Sequence, residues 1–346
     1  MIRIENKELL KDPVFDSIFI VGIAFVAVTV GLVVSKNPGL FLTVLLLDLW
    51  LLGYHHVIAT FTRLSFDISS LKENKNLLIY LPIIVALLAT ILILQFGIWS
   101  LATIYLYWQW YHYTRQSEGI SKTYAGKATN NIGNTSFNKV VFYVVPLCGI
   151  LHVSARVPET FLNMPIKVLP IPEWVLFSAD LITILLFSIW FVSQLLVWRK
   201  GKLSWPYFLY VLSHHAVFFV AYIWLSNINF GWLAVNIWHN TQYILFVWLY
   251  NNRRFSGSID SKHTLLSTLS QDKRIFLYLT FCLTISTGIY FLLEYFFVGS
   301  LGNYLEISMA ASAMIIYQTI NFHHYVVDSV IWKLRKKSVR SKFNLA

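Results

Sequence analysis

The chain is divided into apolar runs of about 20 residues, the length an α-helix needs to cross the hydrocarbon core of a bilayer, joined by short polar connections. Ten segments have this form: 14–34, 39–62, 76–97, 98–114, 139–156, 173–197, 205–225, 230–250, 275–298 and 304–332. Runs of that length satisfy their backbone groups inside lipid by coiling into helices. The expected fold is therefore all-α, a polytopic integral membrane helix bundle of about ten transmembrane helices. No soluble domain fits between the runs, so residues 1–346 form a single transmembrane domain. The third and fourth runs meet at Gly97, which calls for a tight turn there. The first run is longer than a signal h-region and lacks a small-x-small cleavage site, so it is read as a retained helix. Composition agrees: charged residues make up 12 % of the chain and hydrophobic residues 57 %, whereas a soluble domain carries about 25 % charged residues. Disorder, a coiled coil and a secreted disulfide scaffold are excluded on the same grounds.

The formal net charge is +11. In a soluble chain this would suggest nucleic acid, but here the basic residues sit in clusters between apolar runs, and no nucleic-acid partner is expected. With the N-terminus in the cytoplasm, all of the 27 Lys and Arg except Lys36, Arg156 and Lys167 fall on the cytoplasmic side. That asymmetry follows the positive-inside rule, places both termini in the cytoplasm, and favours contact with anionic lipid. Usage rich in Lys, Asn and Ile points to a bacterial inner membrane. The two cysteines, Cys148 and Cys282, form no CxxC or CxxCH motif, which argues against a thiolate zinc site or covalent haem.

Ionisable residues within membrane spans are costly and tend to mark sites. Of the ten histidines, all but His263 lie in or at the end of an apolar run. Counting back from the flanking basic residues at 1.5 Å per residue places His55, His324, His214 and His239 roughly 12–21 Å from the cytoplasmic edge. Six occur as three adjacent pairs, His55-His56, His214-His215 and His323-His324. Polar residues accompany them at helical spacing: Tyr317, Asn321, His324 and Asp328 in the tenth run, and Asp48, His55 and Thr62 in the second. The eighth run has Asn236, His239, Asn240, Gln242 and Tyr243, and the fourth has Gln109, His112 and Gln116. Neutral imidazole is the commonest metal ligand, and ligating histidines are usually oriented by a carboxylate or amide. The expected ligands are His55, His56, His112, His239, His323 and His324, with His214 and His215 next. Asp48, Asp328, Asn236, Asn240 and Gln242 would orient them. Carboxylates within the runs are too few for a carboxylate-bridged di-iron site. His152 is read as a helix–helix hydrogen bond, and His263 as a surface residue.

The connection 115–138 is rich in Gly, Asn, Ser and Thr and reads as a cytoplasmic lid loop. Arg63 and Arg115 lie near the same mouth by depth and could hold the carboxylate or phosphate head of a substrate. The aromatic stretch Trp108 to Tyr113 fits an interfacial belt or the entrance for an apolar molecule.

At the level of class, the histidine pattern resembles the membrane-bound non-haem iron desaturases and hydroxylases. The chain lacks their HxxxH and HxxHH boxes. It is similar to haem–copper oxidases in holding about six histidines on several helices, without their His-Pro-Glu-Val-Tyr segment. Trp238-His239-Asn240 resembles the Trp-His-Gly of membrane-bound O-acyltransferases. Together, residues and resemblances give an expectation of an iron-dependent oxygenase, hydroxylase or desaturase-type oxidoreductase. It would hold one or two iron ions, draw on an electron donor, and act on a lipidic or otherwise hydrophobic substrate. Copper, zinc or haem b are the alternative cofactors. The alternative functions are a non-covalent haem protein for electron transfer or gas binding, a proton-coupled transporter, and an acyltransferase using His239.

Overall fold

The structure is a computed structural model, and it describes residues 6–64, 68–128, 135–256, 258–334, 337–343 and 345. The protein is 84 % helical. Its long helical rods are α1 Pro13–Lys36, α2 Pro38–Leu64, α3 Lys75–Phe96, α4 Ile98–Lys127, α5 Ser136–Ala155, α6 Glu173–Arg199, α7 Trp205–Trp224, α8 Ile228–Arg254, α9 Asp272–Leu305 and α10 Met309–Ile331. Seven of them, all but α4, α8 and α10, are long and apolar enough to cross a membrane. The three exceptions are diluted by polar side chains, and they carry His112, His239 and the His323-His324 pair.

The burial pattern explains which helices can afford that polarity. α8 is the central rod: every residue from Gly231 to Asn240 is buried, the signature of a helix enclosed by others. Two glycines set how closely its neighbours approach. A Cβ on Gly231 would stand 1.8 Å from the carbonyl oxygen of Ala221 on α7, and one on Gly31 of α1 would stand 2.9 Å from Ala234 Cβ. Small residues at such crossings let backbones touch, the usual means of helix association in lipid. The outer rods instead expose their apolar side chains, as Phe177, Leu181 and Leu185 do on α6.

Gly97, at φ +83°, joins α3 to α4 and donates its N–H to Ile93 at 2.8 Å, so the turn expected there is present. The expected lid differs. α4 continues unbroken through Lys127, so residues 115–127 are helix, and 129–134 lie outside the described residues. Polar partners hold this extension. Ser117 Oγ meets Tyr210 OH at 2.9 Å, and Tyr124 OH donates to Asp16 at 2.7 Å. Between α5 and α6 a small hairpin, β1 Thr160–Phe161 and β2 Met164–Pro165, turns through Leu162 and Asn163, both at positive φ. That is the backbone a two-residue type I′ turn requires. The Leu162 amide donates to Asn229 Oδ1 at 2.7 Å, anchoring the turn on α8.

Candidate metal centre

Four histidines from four helices meet in the bundle: His56 of α2, His112 of α4, His239 of α8 and His324 of α10. His56 and His324 bring their Nε2 atoms to 2.6 Å. Ligand atoms of His56, His112, His324 and Asp328 all lie within 4.8 Å of one another. The His239 ring completes the group, 4.8 Å from the His56 ring and 5.1 Å from that of His112. All five side chains are buried. Among the described residues, His56 Nδ1, His112 Nε2 and His239 Nε2 have no hydrogen-bond partner. Buried ring nitrogens are normally paired, so a converging set of unpaired ones fits a group that could hold a metal ion.

A turn of π-helix selects the histidine that α2 contributes. Between Leu49 and Gly53 the helix widens by one residue. Regular α-spacing aligns Asp48 with His55, seven residues on; the extra residue moves the alignment to His56. Asp48 and His56 accordingly both face α8, where Asn236 donates to Asp48 at 2.5 Å. Thr60 and Arg63, four and seven residues past His56, follow on the same side. Thr62 points elsewhere and meets Tyr278 OH at 2.9 Å.

A second layer holds the rings. Thr60 Oγ1 lies 2.9 Å from His324 Nδ1 and 2.7 Å from Tyr243 OH, and Tyr243 donates to Asp328 at 2.6 Å. Trp332 Nε1 also donates to the Tyr243 oxygen, at 3.0 Å. Tyrosine rings lie against three of the histidines: Tyr243 on His56 at 4.4 Å, and Tyr325 on His112 and Tyr113 on His239, both at 4.1 Å. Tyr113 donates to Asn236 Oδ1 at 2.5 Å, which links Asp48 to the ring over His239. Thr60, Tyr325 and Trp332 received no role from sequence, and Tyr113 only a place in the aromatic stretch, although Thr60 stands one helical turn from His56, as Tyr243 does from His239.

The other expected site residues lie elsewhere or at the edge. His323 faces away, bonding the Leu77 carbonyl at 2.7 Å and stacking on Phe61. His55 is buried, and its Nε2 has no partner among the described residues. His214 and His215 form a separate pair among Phe142, Phe187 and Trp190. Gln242 turns toward α1 and α7, donating to the Phe19 carbonyl and accepting from Tyr210. Asn240 lines a cavity beside His56. Arg63 is buried with its guanidinium 3.9 Å over Trp332 and 4.4 Å over Tyr250, donating to the Ile331 carbonyl. His263 hydrogen-bonds Asp260 between α8 and α9, which holds that carboxyl below its usual range.

Two cavities flank the histidines. One, of about 430 Å³, is lined by His112 and the carboxylates Glu118 and Asp328 together with Arg115, Lys122 and Lys333. The other, of about 280 Å³, is lined by His56, His239 and His324 together with Leu45, Leu49, Val57, Met314 and a tyrosine stack. That stack is Tyr54, Tyr290 and Tyr317, with Tyr54 and Tyr290 centred 3.8 Å apart. The hairpin residues Leu162 and Met164 also line this second cavity. No family model, curated protein or solved structure matches the chain.

Proposed function

We propose that this protein is a ten-helix integral membrane metalloenzyme with both termini in the cytoplasm, placed in a bacterial inner membrane. In this reading His56, His112, His239 and His324, with Asp328, hold one or two iron ions. The reaction is an oxygenase, hydroxylase or desaturase-type oxidation of a lipidic or otherwise hydrophobic substrate, using dioxygen and an electron donor on the cytoplasmic side. The observation that carries it is the convergence of four histidines from four helices between an apolar cavity and a cationic one. An imidazole-dominated donor set suits iron, copper or zinc. Dioxygen and a hydrocarbon substrate, both soluble in lipid, make iron the choice for a site at this depth.

Iron held there would supply the redox chemistry. The chain supplies the rest. Thr60, Tyr243 and Asp328 fix the ring of His324, as hydrogen-bonded partners do for ligating histidines. The apolar cavity beside His56 and His239 takes the hydrophobic part of the substrate and keeps water from it. Arg115, at the rim of the cationic cavity, receives an anionic head group; Lys122 is already paired with Glu118 at 2.6 Å.

Haem b, held between two of these histidines, is the alternative cofactor. The test is metal analysis of the detergent-purified protein together with its ultraviolet–visible spectrum and oxygen uptake on added lipid. One or two irons per chain, no Soret band and lipid-dependent oxygen uptake are expected. Absence of metal after anaerobic reconstitution with Fe(II) would overturn the assignment, and a Soret band would replace it with haem.

A further inference from the structure

Outside the histidine centre, α5 and α6 bring together a cysteine, a histidine and a carboxylate. Cys148 and His152 are one helical turn apart on α5 and so share a face. Asp180 of α6 meets both through one oxygen, Oδ1, at 3.1 Å from Cys148 Sγ and 2.7 Å from His152 Nε2. The three ligand atoms lie within 4.8 Å of one another. Cys148 is buried, while the side chains of His152 and Asp180 are 18 % and 41 % exposed. The hydroxyl of Thr183, one turn beyond Asp180, is buried beside the sulfur and has no other partner among the described residues.

Asp180 stands among Phe177, Leu181 and Ile184, which face outward on a rod apolar enough to cross a membrane. A carboxylate at such a surface is costly to charge. We propose that Cys148, His152 and Asp180 form a second metal site, for a zinc-class divalent cation. The charges support this. A thiolate, a carboxylate and a neutral imidazole carry two negative charges, which one divalent cation cancels, leaving an uncharged unit in the bilayer. Binding expels the thiol proton to solvent, as metal binding to cysteine requires. The donor chemistry supports it too, since sulfur with imidazole nitrogen selects zinc over magnesium or calcium.

The geometry needs little change. Tetrahedral arms of roughly 2.0–2.3 Å place ligand atoms about 3.3–3.6 Å apart, so the present contacts at 2.7 and 3.1 Å open by about half an ångström. Three protein ligands leave a fourth position for water or an exogenous ligand.

The test is Co(II) titration of the full-length, detergent-purified protein in a Cys282→Ala background. A sulfur-to-cobalt charge-transfer band reports this site alone, because the histidine centre contains no sulfur. The expected result is a band displaced by Zn(II), absent in Cys148→Ser, and retained in His324→Ala, where it saturates at one Co(II) per chain. Asp180→Asn, which keeps the cysteine, should weaken binding at least tenfold; this variant serves if Cys148→Ser does not fold. No sulfur band in the parent protein, a band surviving Cys148→Ser, or unchanged affinity in Asp180→Asn would overturn the proposal.

Discussion

His324 is held at both ring nitrogens, one against Thr60 and the other against His56, while its sequence neighbour His323 spends its Nε2 on the Leu77 carbonyl. The two therefore separate cleanly by experiment. His324→Ala and His56→Ala should lose bound metal, while His323→Ala should keep it at full stoichiometry; metal analysis of the purified variants reads the difference, and equal loss in both sets would refute the ligand assignment. Sequence could mark the three histidine pairs but not which of their members face the centre. Adjacent residues on a helix point about 100° apart, and which direction is inward depends on the neighbouring rods. Tyr243 shows the same limit. Its hydroxyl joins Thr60, Asp328 and Trp332, a role that needs three helices in register. Tyr243→Phe leaves these buried groups short of a partner, at a cost of about 1–3 kcal/mol. It should also lower metal affinity about 10–100-fold, as loss of an outer-layer hydrogen bond does. Chelator competition on the folded variant measures the second effect. Arg115→Ala should raise KM for an anionic lipid roughly tenfold and leave kcat unchanged, since a charged hydrogen bond contributes about 1.5–3 kcal/mol.

At the level of elements, hydrophobic period located the helices better than it located their faces or ends. Runs of apolar residues are read from composition alone, and rods occupy all ten segments. The face of α2 could not be read, because the widened turn at Leu49–Gly53 breaks the period on which the alignment depends. The end of α4 could not be read either. The polar residues after Arg115 have the composition of a loop, but Ser117 and Tyr124 find hydrogen-bonding partners on α7 and α1 that make helix the better state. The π-turn gives a direct prediction. Leu51 lies within it and is 39 % exposed. Deleting Leu51 converts the turn to regular α-helix, leaving Asp48 and His56 on one face, so the variant should fold and keep its metal. Deleting Ile58, in the regular helix beyond, rotates Thr60 and Arg63 by about 100° and should lower metal affinity. If both deletions behave alike in metal analysis, the extra residue does not set the phase.

For the whole molecule, the histidine centre is also a joint. Its histidines come from α2, α4, α8 and α10, rods separated in sequence but tied together by α8 at the axis of the bundle. The sequence put His239 and His324 in one layer, by the count from the flanking basic residues. It did not indicate that only four of the eight candidate histidines share a centre, which depends on the order of the rods around α8. A metal at that joint should stabilise the bundle beyond its immediate contacts, since bound ion satisfies ring nitrogens that otherwise lie buried without partners. Linkage sets the size: a ligand at one hundred times its Kd contributes about 2.7 kcal/mol. For a domain of this length that corresponds to roughly 3–6 °C in Tm. Chelation should therefore lower the midpoint of a thermal scan in detergent by about that amount, and added Fe(II) should restore it. The same chelation applied to His324→Ala should lower its midpoint by less than in wild type. A fall of equal size in wild type and variant would place the stabilising ion elsewhere. In that event Cys148→Ser, scanned in parallel, shows whether the α5–α6 site is responsible, because only that variant would then be insensitive to chelator.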